Sequence, residues 1–177
     1  MKTDLIKRWL ASWLQQCLLR RAPQDDPLSY SALQWSIVAY VLMDLLQARA
    51  SSDWPASLGM TLLDTLIMLL FAWTVLLLMK KSARLVQTLT ALAGTGAALG
   101  MLGLPLMLQA ARTQGEDGPA GILVLGWLLM LVWSIAVQAH IFRHALSTGY
   151  GTGLLLAGLH TVLIVTLVET LFARVAG

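Results

Sequence analysis

Five long apolar runs dominate this sequence and restrict what the chain can fold into. They cover residues 28–48, 57–79, 85–110, 120–139 and 152–173. Crossing a hydrocarbon core about 30 Å thick takes about 20 apolar residues in helical form. None of the runs alternates apolar and polar residues at period two, so a membrane-spanning barrel is excluded. We therefore predict an all-α fold, a polytopic transmembrane bundle of five helices.

The charged residues are few and unevenly placed. They make up 12% of the 177 residues, about half the share in an ordinary soluble domain, and only three lie inside the runs. This distribution argues against a disordered chain, a secreted disulfide scaffold and a soluble enzyme. The single cysteine, Cys17, cannot form an intramolecular disulfide. We interpret it as a small apolar filler, with palmitoylation as the alternative.

The connectors between the runs are short and contain signals for turns and helix starts. Asp53, Trp54 and Pro55 have the pattern of a capped helix start, and residues 114–119 have the composition of a turn. Short connectors make sequential helices antiparallel neighbours. We predict two parts: an amphipathic interfacial helix over residues 1–21 and a five-helix transmembrane domain over residues 22–177.

Lysines and arginines flank the runs asymmetrically. One side has nine of them: Lys2, Lys7, Arg8, Arg20, Arg21, Lys80, Lys81, Arg84 and Arg143. The other side has Arg49, Arg112 and Arg174. Connectors rich in Lys and Arg stay in the cytoplasm. The N-terminus is therefore predicted in the cytoplasm and the C-terminus outside. Because these residues flank the runs and form no patch with aromatic residues, we expect no nucleic-acid partner.

The first 21 residues have the pattern of an amphipathic helix, without the cleavage site of a signal peptide. Apolar residues recur at helical spacing: Leu5, Ile6, Trp9, Leu10, Trp13, Leu14 and Cys17. The opposite arc holds Asp4, Arg8, Ser12 and Gln15. Such a helix lies in the membrane interface with its tryptophans at the headgroup level. The predicted interface anchors are Trp9, Trp13, Arg20 and Arg21. Docking on a partner protein is the alternative for this helix.

Three acidic residues lie inside the runs: Asp44, Asp64 and Glu169. An intramembrane carboxylate indicates proton or ion handling, so these acids form a candidate ion site. A central Asp costs about 2.5–3.5 kcal/mol to insert, whereas the large apolar residues of the second run contribute about 4–7 kcal/mol. A structural polar cluster of protonated acids is therefore the alternative. Partners on the same helix faces are Ser36, Tyr40, Gln47, Ser57 and Thr61.

The remaining polar and small residues predict packing more than chemistry. His160 lies in the middle of the fifth run and is interpreted as a buried hydrogen-bonding group, while His140 and His144 lack the further ligands of a metal site. Gly96 and Gly100 form a Gly-x-x-x-Gly motif, typical of close helix packing within a bundle or between two copies. The sequence has no nucleophile elbow, phosphate-binding loop or dinucleotide fingerprint. We expect no enzyme, no cofactor and no metal.

Three short segments and the predicted topology resemble the Yip1 family, in particular its small bacterial members. The segments are RAPQDDPL at residues 21–28, VWS at 132–134 and HIFRHAL at 140–146. The resemblance covers about residues 20–175 and implies a five-span protein of the bacterial inner membrane. Eukaryotic members bind Rab GTPases, but their Asp-Leu-Tyr-Gly-Pro signature is absent here. That activity is therefore not transferred.

Two functions are compatible with these patterns. The first is a non-enzymatic adaptor or scaffold that contacts the lipid bilayer and a membrane protein partner or a second copy of the chain. The alternative is a small transporter, or a subunit of one, in which Asp44, Asp64 and Glu169 bind a proton or cation. Convergence of the acids around a cavity favours the transporter, and acids at separate helix contacts favour the adaptor.

Overall fold

The computed structural model describes residues 2–50, 52–112 and 121–172, and these form an all-α fold. Six α-helices follow one another: α1 (Lys2–Cys17), α2 (Tyr30–Arg49), α3 (Trp54–Leu78), α4 (Leu85–Arg112), α5 (Gly121–Leu146) and α6 (Tyr150–Phe172). Short 3-10 turns, Pro23–Asp25 and Ser82–Arg84, precede α2 and α4. The predicted turn at residues 114–119 and Arg174 lie outside the described residues.

Four of these helices are long and apolar enough to cross a bilayer: α3, α4 with its preceding turn, α5 and α6. Many of their large apolar side chains face outward, such as Leu78, Ile122 and Leu155. Faces of this kind suit contact with lipid and are rare on soluble monomers. The structure therefore supports a multi-pass membrane protein. The helix α2 is less apolar than the other four because it contains Gln34, Asp44 and Gln47.

The helix α4 lies at the centre of the bundle and contacts α1, α2, α3 and α5. Its residues 88–99 are almost all buried, and most of them are small, so neighbouring helices can approach closely on several sides. A Cβ atom at Gly96 would lie 2.6 Å from the Tyr40 ring, and one at Gly100 would lie 2.7 Å from Nε2 of Gln47. The Gly-x-x-x-Gly motif therefore packs α4 against α2 within one chain.

Side chains define where two of the helices begin. The carboxylate of Asp53 accepts a hydrogen bond from the Ala56 N–H (3.1 Å) at the start of α3, which confirms the capped start predicted there. The hydroxyl of Ser29 accepts one from the Ala32 N–H (3.3 Å) at the start of α2. Both caps satisfy backbone donors that a helix start leaves without a partner.

Hydrogen bonds connect the helices at one end of the bundle, which we call the basic end because Lys80, Lys81 and Arg84 lie there. The Arg84 guanidinium donates to the carbonyl oxygens of His144 and Ala145, each at 3.0 Å. It thereby joins the α3–α4 connector to the end of α5.

The segment between α1 and α2 is attached to the same end. Nε2 of His140 lies 3.1 Å from the Arg21 carbonyl oxygen, and Nε2 of Gln87 donates to the Asp26 carbonyl oxygen (2.6 Å). The basic end is therefore a connected region that includes the N-terminal part of the chain.

Candidate functional site

A cavity of about 240 Å³ lies between α2, α4 and α5 in the half of the bundle away from the basic end. We call it the membrane cavity. Most of its wall is apolar, as expected for a site among membrane helices. Its polar lining residues are Tyr40, Asp44, Gln47, Thr95, Ser134, Gln138 and His160. A cavity with these polar groups can hold water, a small cation or a proton donor.

Two of the three predicted acids lie near each other beside this cavity. The Tyr40 hydroxyl donates a hydrogen bond to the Asp64 carboxylate, and Asp44 lies beside the buried Thr61. Asp44 is also close enough to Asp64 for their charges to repel each other when both are ionised. Tyr40 and Asp44 belong to α2, and Thr61 and Asp64 belong to α3, so the partners cross between the helices. The sequence predicted that each acid would have its polar partners on its own helix. In the structure, the partner of each acid is instead on the other helix.

No basic side chain neutralises this pair of acids among the residues whose side chains the structure describes. Arg49 lies with its guanidinium 4.8 Å from the centre of the Trp54 ring and donates to the Ser52 carbonyl oxygen. The side chain of Arg112 lies outside the described part. Two carboxyl groups without a described cation form a place where a proton or a cation is bound favourably.

Glu169 does not join this pair. Its side chain is exposed on α6 and takes no part in the lining of the membrane cavity. His160, on the same helix, is 4% exposed. Nine residues separate the two, which is two and a half helical turns, so they lie on different faces of α6 as their spacing predicts. The candidate site that the structure brings together therefore contains Asp44 and Asp64 without Glu169.

The lining also contains polar residues to which the sequence pattern assigned no part in a site. Nδ1 of His160 lies 2.8 Å from Oε1 of Gln138, and His160 packs against the Phe71 ring with 5.0 Å between ring centres. An amide oxygen accepts, so Nδ1 is the donor and Nε2 is left as an acceptor. Nε2 is buried and has no hydrogen-bond partner among the described residues. The sequence feature that could have indicated this part of the site is Gln138, a polar residue in an otherwise apolar run.

The helix α1 packs more deeply than an anchor in the interface would. Trp13 was predicted at the headgroup level, but its side chain is 8% exposed and lies against Gly94 of α4, where a Cβ would collide with the indole. The Cys17 carbonyl oxygen accepts a hydrogen bond from Nε1 of Trp133 (2.9 Å). The end of α1 therefore docks between α4 and α5.

Asp26 explains why α1 buries Ser12, which its amphipathic pattern placed on the outer arc, and also Gln16. Ser12 donates to the Asp26 carboxylate at 2.5 Å and Gln16 at 2.7 Å, while Arg21 forms an ion pair with it at 2.8 Å. Ser12, Gln16 and Asp26 are all buried. Burying a carboxylate is favourable only when its oxygens are paired in this way. Of the four predicted anchors, Trp9 is half-buried and Arg20 is exposed.

No family model, curated protein or solved structure matches this chain. The function must therefore be argued from the cavity, the acids and the membrane-spanning helices.

Proposed function

We propose that the protein is a non-enzymatic, multi-pass membrane protein that binds a proton or a small cation in the membrane cavity, as a small transporter or a transporter subunit. The observation that carries this proposal is the approach of Asp44 and Asp64 beside a polar-lined cavity with no described basic partner. Nε2 of His160 is an acceptor without a partner among the described residues, which adds to the preference of the cavity for a proton donor or a cation. An intramembrane acid pair with acceptors around it is typical of proton and ion pathways.

Five membrane crossings fit this proposal. With α2 as the first span, the basic end lies in the cytoplasm with the N-terminus, the C-terminus lies outside, and the location is a bacterial inner membrane. The similarity to the Yip1 family is a prediction that rests on its three short segments.

Flux through reconstituted vesicles tests the proposal. We expect purified protein in liposomes to carry protons, Na⁺ or K⁺ down an imposed gradient, measured with a pH-sensitive dye and with ion-selective dyes. Asp44→Asn and Asp64→Asn remove the titratable groups at almost constant volume, so each should reduce the flux at least about tenfold. Glu169→Gln is the matched control and should retain wild-type flux because its side chain is exposed and distant from the cavity lining.

Two outcomes contradict the proposal. One is flux by Asp44→Asn and Asp64→Asn that equals the wild type, and the other is the absence of any gradient-dependent flux from the wild type. A fall in all three variants, including Glu169→Gln, would indicate a general loss of folded protein, which size-exclusion chromatography of each variant detects.

An adaptor role is the second candidate, and the outer face of α1 supports it. Leu10 and Leu14 are exposed on that face, Leu18 is exposed directly after it, and the bundle holds the helix in place through Asp26. Replacing Leu10 and Leu14 with Gln should then release a membrane protein partner that crosslinks to the wild type. Unchanged crosslinking of that partner would show that the outer face of α1 does not bind it and would contradict the adaptor role.

A further inference from the structure

A second cavity, of about 310 Å³, lies at the basic end between α1 and the start of α2. We call it the interfacial pocket. Its lining residues are Arg8, Trp9, Ala11, Arg21, Asp26, Pro27 and Ser29. It lies at the end of the bundle because Asp26 is hydrogen-bonded to Gln87, which is close to the first residue of α4. In a bilayer this is the level of the lipid headgroups.

The pocket carries positive charge from two arginines, and some of their N–H groups are not used in hydrogen bonds to described residues. Arg8 is exposed and forms no ion pair among the described residues. Arg21 uses one terminal nitrogen for Asp26 (2.8 Å) and for the carbonyl oxygen of Asp25 (3.2 Å). Its other terminal nitrogen, Nη1, makes no hydrogen bond to a described residue, and 34% of the side chain is exposed. A guanidinium with an unused N–H is well suited to a phosphate oxygen.

Asp26, the acid in the described part of the lining, does not cancel this charge. Asp26 is 7% exposed, and Ser12, Gln16 and Arg21 already donate to its carboxylate. The carboxylate oxygens of Asp26 therefore already accept hydrogen bonds from α1, and the ion pair with Arg21 balances the negative charge. Among the residues whose side chains the structure describes, Arg8 has no partner that balances its charge.

The surroundings of the pocket select an amphipathic ligand. Leu10, Leu14 and Leu18 form an exposed apolar stripe along α1 and the residue that follows it. The half-buried indole of Trp9 lies in the wall of the pocket. A ligand whose anionic head reaches the arginines can therefore place an apolar tail along these leucines.

We propose that the interfacial pocket binds the phosphate group of an anionic phospholipid, with Arg8 and Arg21 donating to the phosphate oxygens and the leucine stripe contacting the acyl chains. This site is separate from the membrane cavity, and it does not depend on transport.

Native mass spectrometry of the purified protein in detergent tests the site, with phosphatidylglycerol as the probe and phosphatidylcholine as the neutral comparison. We expect the wild type to retain phosphatidylglycerol in preference to phosphatidylcholine. Arg8→Gln should weaken phosphatidylglycerol binding about tenfold, the effect of losing one charge-assisted hydrogen bond. Its thermal stability should equal that of the wild type, because Arg8 is exposed and pairs with no described residue.

Arg20→Gln is the matched control, because Arg20 is exposed, carries the same charge and does not line the pocket. It should bind phosphatidylglycerol within about twofold of the wild type, as expected for an unpaired surface charge. Equal losses in Arg8→Gln and Arg20→Gln would show diffuse attraction and overturn the proposal. Equal binding of the two lipids would also overturn it. Displacement of the lipid by millimolar inorganic phosphate would assign the pocket to free phosphate and overturn the lipid ligand.

Discussion

At the scale of single residues, the shape of the membrane cavity depends on a glycine that faces a tyrosine. A Cβ atom at Gly96 would lie 2.6 Å from Cε2 of Tyr40, closer than any ordinary contact. The Tyr40 hydroxyl is also the donor to Asp64, so moving the ring disturbs the pair of acids. Gly96 therefore controls both the spacing between α2 and α4 and the position of a polar group.

We predict that Gly96→Ala destabilises the protein by about 1–3 kcal/mol, the usual cost of overpacking. Gly158→Ala is the matched control, since no described atom beyond its own stretch of helix lies within 4 Å of its Cβ position. It should be neutral or should stabilise α6 by up to about 1 kcal/mol, because Ala is the better helix former. Thermal unfolding in detergent, followed by circular dichroism, measures both changes. Equal stability of the two variants would contradict the assigned contact.

Residue spacing predicted part of this site, and the reasons for the rest are physical. Asp44, Asp64 and Gly96 could be identified because polar and small residues are conspicuous in apolar runs. The burial of Ser12 and Gln16 could not, since their partner Asp26 is 14 and 10 residues away, on a turn with no helical period. Glu169 could not be separated from the other acids, because the outer and inner faces of an apolar helix have similar composition.

At the scale of the helices, three of them are followed, in the described part of the chain, by a residue in the left-handed region. Leu19, Lys80 and Ser147 have φ angles of 60°, 55° and 58°, and each follows the last turn of α1, α3 or α5. Directly after Lys80, the Lys81 N–H donates to the Leu76 carbonyl oxygen (2.8 Å). This hydrogen bond is the pattern of a Schellman motif. Glycine is the usual residue at such a position, because a Cβ costs about 1 kcal/mol there.

Lys80→Gly should therefore stabilise the protein by about 1 kcal/mol, through relief of the left-handed conformation at the end of α3. Lys80→Ala removes the same side chain charge but keeps the Cβ atom, so it should leave the stability close to that of the wild type. Both side chain changes are at an exposed position. Chemical denaturation in detergent compares them, and a gain shared by Gly and Ala would assign the effect to charge.

The docking of α1 against α4 and α5 is the second feature at this scale, and the reactivity of the Cys17 thiol can be used to measure it. Cys17 is 3% exposed, and burial raises the pKa of its thiol to about 11. Only about one thiol in a thousand is then ionised at pH 8, so the native protein should react slowly with a polar maleimide. Asp26→Asn removes the charge that holds Ser12, Gln16 and Arg21, and α1 should then detach more often.

We expect the maleimide reaction of Cys17 at pH 8 to be at least about tenfold faster in Asp26→Asn than in the wild type, the effect of weakening one buried charge-assisted interaction. Asp25→Asn is the control, because that side chain is exposed and caps only the neighbouring turn through the Ala22 N–H (3.0 Å). Mass spectrometry of the labelled protein gives the rates. Equal rates in all three proteins would show that Asp26 does not hold α1.

At the scale of the whole molecule, the path of α2 decides how many times the chain crosses the membrane. The segment before α2 is bonded to Gln87 and His140 at the basic end. The last turn of α2 lies at the opposite end, where Arg49 stacks on Trp54 at the start of α3. The 20 residues of α2 span about 30 Å at 1.5 Å per residue, which is the thickness of the hydrocarbon core.

Apolar composition alone selects four helices and omits α2, because hydropathy counts Asp44 and Gln47 as costs. Both residues line the membrane cavity, so a crossing by α2 would keep them away from lipid and largely avoid their cost. The position of α2 beside α4 is therefore better evidence for a crossing than its mean hydropathy. Five crossings place the N-terminus and residue 54 on opposite sides, whereas four crossings without α2 place them on the same side.

Single cysteines at exposed positions, introduced together with Cys17→Ala, distinguish the two topologies. Lys7→Cys and Ala83→Cys should react with a membrane-impermeant maleimide only from the cytoplasmic side, and Trp54→Cys only from the outside. The three side chains are exposed, so reactivity depends on the side and not on burial. Intact bacterial cells expose the outer side, and inverted vesicles expose the other. Lys7→Cys reacting on the same side as Trp54→Cys would limit the chain to four crossings and remove α2 from the membrane. In that case α2, which forms one wall of the membrane cavity, would lie outside the bilayer. The proposal of a proton or cation site within the membrane would then be wrong.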